Sequence, residues 1–288
     1  MHMLPRILKR AAAGLCLLGM AGSVAIADSQ SPDAAAAVPP AGLAYDAVTG
    51  QLLKAEPRAL YVSSDGREWT PVDLPPSVTN TRITSIAAAE DGAWYVAGEG
   101  MGVLRGADGG KTWTALNDGL PHPNVTALAT HATLPETVYA VLGEGGIYRS
   151  EDAGKSWKMM DKGPRGEVLS LVHSDMAGSM QTGWLFAGTD RGVRRAMDCF
   201  CLWRPAGQLE GAVHSIAHDP REPRQIYAAN RKGLHRSVDG GQTWETLGAP
   251  GKIAGLAFTP GGELYAITEE GATFRSNDGA QRWARMDD

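Results

Sequence analysis

The sequence predicts an all-β fold, a single β-propeller of six four-stranded blades, with seven blades as the alternative. Three observations support this prediction: a turn motif that recurs six times, a tryptophan at the end of each copy, and four short β-prone segments in each repeat. A fixed period of roughly 40–50 residues with several short strands per unit is typical of propeller blades. The 288 residues, with 36 Gly and 17 Pro, suit one large, turn-rich domain.

The recurring turn is clearest in residues 237–244, which read Ser-Val-Asp-Gly-Gly-Gln-Thr-Trp. An aspartate in such a turn accepts hydrogen bonds from nearby backbone N–H groups, and glycine permits positive φ angles. The threonine and tryptophan then begin a β-prone run in which the indole ring can pack between layers. The Asp and Trp of the six copies are Asp65 and Trp69, Asp108 and Trp113, Asp152 and Trp157, Asp198 and Trp203, Asp239 and Trp244, and Asp278 and Trp283.

The tryptophans set the period, because successive ones are separated by 44, 44, 46, 41 and 39 residues. The strands are easiest to recognise in the second unit, at residues 83–87, 94–98, 102–106 and 112–116, with Gly, Asp or Asn between them. The other units align with this one, the first (residues 41–72) most loosely. Both ends of the repeat region lie near a unit boundary, so we expect the ring to close by packing of the first blade on the sixth.

Residues 1–27 have the pattern of a secretory signal peptide. Arg6, Lys9 and Arg10 precede a short apolar run that ends in Ala25-Ile26-Ala27, the basic segment, apolar segment and small-x-small cleavage site of such signals. An uncleaved anchor is the alternative, but the run is short for a membrane span. Residues 28–40 predict an unstructured linker, so the propeller is expected over residues 41–288. We expect a periplasmic or secreted protein with no membrane span after cleavage.

The charge of the chain argues against several partner classes. The net charge is −5, and residues 1–27 carry three cations and no acids, so the processed chain carries −8. An acidic protein is poorly matched to nucleic acid or to an anionic membrane surface. The sequence contains no phosphate-binding loop, dinucleotide fingerprint or zinc-helix motif, so we expect no cofactor apart from the soft metal considered below.

The six units resemble the Asp-box, or bacterial neuraminidase repeat (BNR), family of β-propellers, over nearly the whole chain after residue 27. Within that group the sequence is most similar to photosystem II stability/assembly-factor-like (WD40/YVTN/BNR-like) proteins of bacteria. This resemblance implies an exported propeller that binds protein partners. Sialidases and some other glycosidases also carry these boxes, and a fold alone does not determine an activity.

The repeats provide an internal control, because a residue that recurs in every unit is expected to stabilise the blade. The Asp–Trp pairs given above are therefore interpreted as structural Asp-boxes. The same interpretation applies to an arginine that precedes five of the boxes, at Arg105, Arg149, Arg195, Arg236 and Arg275. A sialidase needs an arginine triad to bind a carboxylate, and these recurring arginines are a poor source for it.

Residues that break the repeat pattern are candidates for a binding site. The residue before each first strand varies, and we expect it near the central channel on the face away from the boxes. The loops joining second and third strands lie next to it. The candidate ligand- or partner-binding residues are Arg82, Asn124, Glu167, Lys252, Glu99, Glu144, Asp190 and Arg231. The alternative is that they are ordinary solvated loop charges.

Cys199 and Cys201 lie in the most degenerate copy of the turn and are the only cysteines after residue 27. Three interpretations stay open: structural cysteines, free or disulfide-linked; a redox-labile pair; and a soft-metal site. An oxidising compartment favours pairing, although a bridge between positions i and i+2 would be strained. In the third interpretation His173, Met176 and Met180 join the cysteines as ligands of Cu(I) or another soft metal.

The leading functional hypothesis is a non-catalytic, exported scaffold that binds an envelope protein, without catalytic residues and as a monomer. A sialidase-like glycoside hydrolase is the alternative. Such an enzyme needs a carboxylate acid/base and a tyrosine nucleophile activated by glutamate, and turnover abolished by Glu167→Ala would establish it. Periplasmic copper binding is the second alternative.

Overall fold

The computed structural model describes residues 41–286, which form six four-stranded antiparallel sheets, each built from consecutive strands. The prediction of an all-β propeller with six blades is therefore confirmed, and no seventh sheet occurs among these residues. The predicted signal peptide and linker lie outside the described residues. Within residues 41–286 no helix has the length and apolar character needed to cross a membrane.

Each of the first three blades begins with its innermost strand. Blade 1 contains β1 (Gly42–Asp46), β2 (Gln51–Glu56), β3 (Ala59–Ser63) and β4 (Thr70–Val72). Blade 2 contains β5 (Arg82–Ala88), β6 (Trp94–Glu99), β7 (Gly102–Ala107) and β8 (Thr112–Ala115). Blade 3 contains β9 (Val125–Thr130), β10 (Val138–Leu142), β11 (Ile147–Ser150) and β12 (Lys158–Asp161).

The remaining blades repeat this order. Blade 4 contains β13 (Val168–Ser174), β14 (Trp184–Thr189), β15 (Gly192–Met197) and β16 (Arg204–Pro205). Blade 5 contains β17 (Val213–Asp219), β18 (Glu222–Asn230), β19 (Gly233–Ser237) and β20 (Glu245–Leu247). Blade 6 contains β21 (Ile253–Phe258), β22 (Leu264–Thr268), β23 (Thr273–Ser276) and β24 (Ala284–Arg285).

The first strands contact one another in chain order around a ring, and β21 of blade 6 contacts β1 of blade 1. Leu43 and Leu52 of blade 1 share a core cluster with Tyr265 and Ile267 of blade 6. The ring therefore closes by packing, as predicted. Second strands such as β10 and β22 are buried along their whole length, whereas the outer strands β16 and β24 are exposed. A strand covered by neighbouring blades on both faces needs a continuous apolar run.

Four of the six repeat tryptophans, those of blades 3 to 6, join their blade to the preceding one by a hydrogen bond. The indole N–H of Trp157 in blade 3 donates to the carbonyl of Leu116, which follows the last strand of blade 2, over 2.8 Å. Trp244 donates to the carbonyl of Ala206 over 2.8 Å, and Trp283 to that of Gly248 over 3.1 Å. Trp203 uses the carboxylate of Asp161 instead. Each of these four indoles thus supplies apolar area and one directed bond at a blade interface.

The turns between third and fourth strands, here called the repeat turns, are closed by a serine and an aspartate in four blades. In blade 5 the Ser237 hydroxyl donates to Asp239 over 2.8 Å and accepts the N–H of Gly241 over 2.8 Å. Oδ1 of Asp239 accepts the N–H groups of Gln242 and Thr243 over 2.8 and 3.0 Å. Burial raises the pKa of Asp239, but the bonds from Thr243, Ser237 and Gln242 outweigh it and hold the pKa at about 2.

Two repeat turns lack this serine, and there the aspartate has a different environment. In blade 2 the position is Gly106, where a Cβ would lie 2.8 Å from the ring of Trp113. Asp108 has a φ of 53°, and its carboxylate accepts no hydrogen bond within residues 41–286. In blade 4 the position is Ala196, and Asp198 is buried instead of capping its own turn. The expectation that every repeat aspartate bonds the backbone of its own turn is thus wrong for these two blades.

The recurring arginines bond within the scaffold, as the internal control predicted. The guanidinium of Arg195 donates to the carbonyl of Gly240, and that of Arg236 to the carbonyl of Gly279, each in the repeat turn of the next blade. Arg236 also pairs with Glu245 over 2.6 Å. The other three pair with Asp91 (Arg105), Glu151 (Arg149) and Glu263 (Arg275).

Candidate functional site

The six first strands surround an axial cavity of about 230 Å³. Three successive positions of each strand line it, one residue per blade in each layer. The deepest layer is aliphatic: Leu43, Ile86, Leu128, Leu171, Ile216 and Leu256. The next layer is small: Ala44, Ala87, Ala129, Val172, Ala217 and Ala257. The third layer is mixed: Tyr45, Ala88, Thr130, His173, His218 and Phe258.

The cavity lies at the ends of the first strands, on the same face of the disc as the repeat turns. First and third strands run parallel within each antiparallel sheet, so the loops after first strands and the repeat turns lie on one face. No residue nearer the start of the first strands lines the cavity, so the aliphatic layer is its floor. The predicted binding face, where the first strands begin, is the opposite one.

Most of the side chains that line the cavity are apolar, and polar atoms supply a smaller but substantial share of its surface. Its mouth is formed by Ala47, Glu90, Pro220 and Pro260, and Glu90 is the only carboxylate that lines it. The surrounding face also carries five of the six exposed large hydrophobic residues of the described chain, in loops after first strands or in repeat turns: Val48, Leu134, Met180, Leu202 and Val238. An apolar concavity with few polar groups is the usual form of a binding site.

Two buried histidines contribute to the cavity wall between blades 3 and 4. The rings of His131 and His173 stack with centroids 3.7 Å apart, and each residue is 1% exposed. Nδ1 of His131 accepts the backbone N–H groups of Thr133 and Leu134, both over 3.1 Å. Nδ1 of His173 accepts the N–H of Ala132 over 3.2 Å. Each neutral imidazole therefore carries its proton on Nε2.

Asp198, the aspartate of the degenerate turn, is connected to His131 through Thr182, whereas the buried Nε2 of His173 has no hydrogen-bond partner among the described residues. Nε2 of His131 donates to the hydroxyl of Thr182 over 2.7 Å, and this hydroxyl donates to Oδ2 of Asp198. The amide of Thr182 donates to the same oxygen over 3.0 Å, and Nε2 of His173 lies 3.8 Å from it. Burial lowers the pKa of both imidazoles, that of His173 to about 2, and keeps them neutral.

This cluster does not suit a metal ion, although ligand atoms of His131, His173 and Asp198 lie within 4.8 Å of one another. A metal on Nε2 needs the ring proton on Nδ1, where it would face the backbone N–H donors of residues 132, 133 and 134. Metal-binding histidines normally donate, not accept, through their second nitrogen. The cluster is instead a hydrogen-bonded anchor that joins the loops of blades 3 and 4.

The structure links Cys199 and Cys201 by a disulfide. His173 belongs to the cluster with Asp198, Met176 packs in the core beside Phe186, and Met180 is 69% exposed. Sulfur atoms bonded to each other are not thiolate ligands. The soft-metal hypothesis for these residues stays a prediction, which an anaerobic Cu(I) titration of the reduced protein would test.

The predicted residues of the opposite face meet in pairs where each first strand begins. Arg82 lies 3.6 Å from Glu99, and Lys252 lies 3.9 Å from Glu269. Asp190 accepts the backbone N–H of Glu167 over 3.0 Å. Exposed pairs of this kind contribute at most about 1 kcal/mol to stability.

Asn124 is the most connected residue of that face. Its Nδ2 donates to Glu144 over 2.8 Å, which lowers the pKa of this carboxyl, and its Oδ1 accepts the N–H of Gly100 in blade 2. Arg231 is exposed. The side chains are thus largely engaged with one another, and none of them lines the axial cavity.

Sequence reasoning missed the cavity and the histidine cluster. The cavity is lined by alanines that recur from blade to blade, and the internal control assigned recurring residues to the scaffold. The cluster joins residues 131, 182 and 198, which only the packing of adjacent blades brings together. The one sequence signal was the loss of serine before Asp198.

A ring of six blades around an axial cavity defines the class of protein, a six-bladed β-propeller with a concavity at one end of its axis. The model of the family described as "Photosynthesis system II assembly factor YCF48" matches residues 42–192, more than half of the chain. The chain therefore belongs to this family, as the resemblance implied.

Solved structures with the same fold include a YCF48 protein and a glycoside hydrolase. The structure described as YCF48 bound to D1 peptide has a TM-score of 0.58 at 19% identity, covering 87% of this chain and 83% of that one. The GH74 enzyme of Niastella koreensis has a TM-score of 0.59 at 16% identity, covering 85% of this chain and 46% of that one. At such identities these similarities establish the fold alone.

One curated relative is an enzyme. A probable oligoxyloglucan-reducing end-specific xyloglucanase of Neosartorya fischeri is 26% identical over 215 residues, covering 66% of this chain and 25% of that protein. The chain thus spans about a quarter of the length of the curated relative it matches.

Proposed function

We propose that the protein is a non-catalytic, exported propeller that binds an extended segment of an envelope protein over the axial cavity. The observation that supports this most directly is the cavity itself, to which all six blades contribute and in which apolar side chains dominate. The exposed hydrophobic residues on the same face extend the area available to such a segment. The family and the peptide carried by one solved relative agree with this proposal.

The composition of the cavity argues against catalysis there. Glycoside hydrolysis ordinarily uses two carboxyl groups on either side of the scissile bond, and Glu90 is the only one that lines the cavity. Binding of a segment needs only apolar area and a few polar anchors. The proposed partner therefore contributes small apolar side chains to the alanine layer. We propose that the protein acts as a monomer.

Site-specific photo-crosslinking tests the proposal and the choice of face. A crosslinking residue at exposed Ala47 reports on the cavity mouth, and the matched control at exposed Lys252 reports on the opposite face. We expect one discrete protein adduct from Ala47 in envelope extract, suppressed by unlabelled protein but not by the Ala47→Trp variant, whose indole obstructs the cavity mouth. An adduct from Lys252 alone would move the site to the opposite face, and adducts from neither position would contradict the proposal.

A glycoside hydrolase is the second candidate, because the curated relative and one structural relative are enzymes of that kind. Purified protein should then release sugar from xyloglucan oligosaccharides or sialosides. Turnover that is lost in Glu90→Gln or Glu167→Ala, with the fold intact by circular dichroism, would replace the binding function by this one.

A further inference from the structure

Blade 4 closes its repeat turn differently from the other blades. In four blades a serine and an aspartate hold the turn by hydrogen bonds, as Ser237 and Asp239 do in blade 5. In blade 4 no carboxylate bonds the turn, since Asp198 is directed toward Thr182 and His173. The Cys199–Cys201 disulfide spans the same position. A covalent bond thus stands where blades 1, 3, 5 and 6 have serine–aspartate hydrogen bonds.

This disulfide is expected to contribute little to the stability of the whole fold. The stabilisation that a crosslink provides grows with the length of the loop it closes, and these cysteines are only two residues apart. The crosslink instead constrains the backbone of the residue between the two cysteines. Phe200 has a φ of 57°, an unfavourable value for a bulky side chain, and its ring is 7% exposed and packs 6.1 Å from that of Tyr139 in blade 3.

The disulfide is accessible to an attacking thiolate. Cys201 is exposed, and Cys199 is partly buried. Exposed disulfides are among the labile, regulatory or catalytic ones. The five other repeat turns contain no cysteine, so among the repeat turns only this one can respond to a reductant.

We propose that Cys199–Cys201 is a thiol–disulfide exchange site whose reduction releases the blade 4 turn. A thiolate of a dithiol reductant attacks Sγ of Cys201, the Cys199–Cys201 bond breaks, and Cys199 leaves as a thiolate. The second thiolate of the reductant then attacks the mixed disulfide and frees Cys201. The protein gains two electrons, and the reductant leaves as its own disulfide. Oxidation runs through the same steps in reverse.

Reduction has a defined structural consequence. Without the crosslink, no covalent bond holds Phe200 at positive φ. The position of Asp198, which precedes Cys199, is then also less constrained. Asp198 anchors Thr182, and through it His131, which with His173 lines the axial cavity. The redox state of the turn is thereby coupled to one wall of the cavity. This inference stands independently of the partner proposed above.

Hydrogen exchange of the purified protein with and without dithiothreitol tests the proposal. Thiol alkylation with mass detection gives the reduced fraction, and circular dichroism confirms that the fold persists. We expect one molecule of oxidised dithiothreitol per protein, and faster amide exchange in residues 197–203 and at Thr182. The matched control is the repeat turn of blade 5, residues 237–244, whose exchange stays unchanged.

A double variant gives a second readout. Cys199→Ser/Cys201→Ser should exchange like reduced wild type and should not respond to dithiothreitol. A pair that stays oxidised in native protein, reduction without a change in residues 197–203, or faster exchange in all six blades would each overturn the proposal. Faster exchange in all six blades would show that the disulfide stabilises the whole propeller.

Discussion

At the scale of single residues, the repeat aspartates differ in their hydrogen bonds according to whether a serine lies two positions before them. Where serine is present, as in blade 5, its hydroxyl accepts the N–H of the residue four positions on and donates to the carboxylate. Where glycine or alanine replaces it, at Gly106 and Ala196, the carboxylate does not cap the turn. The aspartate alone, although it recurs in all six units, therefore does not identify a capped turn.

This difference predicts unequal effects of one substitution at two repeat positions. Asp239→Asn removes the charge that accepts bonds from Gln242, Thr243 and Ser237, and should lower the free energy of unfolding by about 1 kcal/mol. Asp108→Asn should change it by less than about 0.5 kcal/mol, because Asp108 accepts no bond and asparagine tolerates its positive φ. Urea denaturation measures both, and equal losses would contradict the assignment.

At the scale of secondary-structure elements, the repeat tryptophans differ in whether they bond the preceding blade. The indole of Trp157 bonds the end of blade 2, whereas the buried Nε1 of Trp113 has no hydrogen-bond partner. The two side chains occupy equivalent positions of successive blades. They offer a matched comparison of a made and an unmade hydrogen bond at a blade interface.

Phenylalanine at each position isolates that bond. Both variants lose similar ring area, but Trp157→Phe also leaves the carbonyl of Leu116 without its donor, while Trp113→Phe removes an unsatisfied N–H. We expect Trp157→Phe to be the less stable variant by about 1–3 kcal/mol. Thermal unfolding followed by circular dichroism gives the difference. Identical losses would mean that the indoles act through packing alone.

The elements were predictable from the sequence because each repeat is locally consistent in turns, strand lengths and apolar runs. The binding surface was not, and the reason is visible at Ala87, Ala129 and Ala257. Each is unremarkable within its strand, and a cavity appears only when six such positions converge on the axis. Charged loop residues such as Glu144 were predicted to bind a partner because they vary between repeats. In the structure, Glu144 instead accepts a hydrogen bond from Asn124.

At the scale of the whole molecule, the proposed export predicts processing of the chain. Cleavage after Ala27 would leave Asp28 as the first residue and change the net charge from −5 to −8. The intact mass and the first residue of protein isolated from the periplasm or medium of its native host measure this directly. A chain that retains residues 1–27 and fractionates with the membrane would support the anchor instead.

Three buried histidines and the half-buried His218 predict how stability depends on pH. His131, His173, His218 and His235 all have pKa values lowered by burial, that of His173 to about 2. In the unfolded chain a histidine protonates near pH 6.5. The unfolded state therefore binds more protons below that pH, and the free energy of unfolding falls as the pH falls, by up to about 1.4 kcal/mol per pH unit for each histidine.

Urea denaturation between pH 7.5 and 4.5 measures this slope. The free energy of unfolding should be nearly constant above pH 7 and should decline below pH 6.5. His173→Gln removes one buried imidazole, so it should reduce the decline by up to about 1.4 kcal/mol per pH unit even if the variant is less stable at every pH. His122→Gln, at an exposed position, is the control for the substitution itself. An unchanged slope in His173→Gln would mean that His173 takes up a proton in the folded protein, with Asp198 as its ion-pair partner 3.8 Å away.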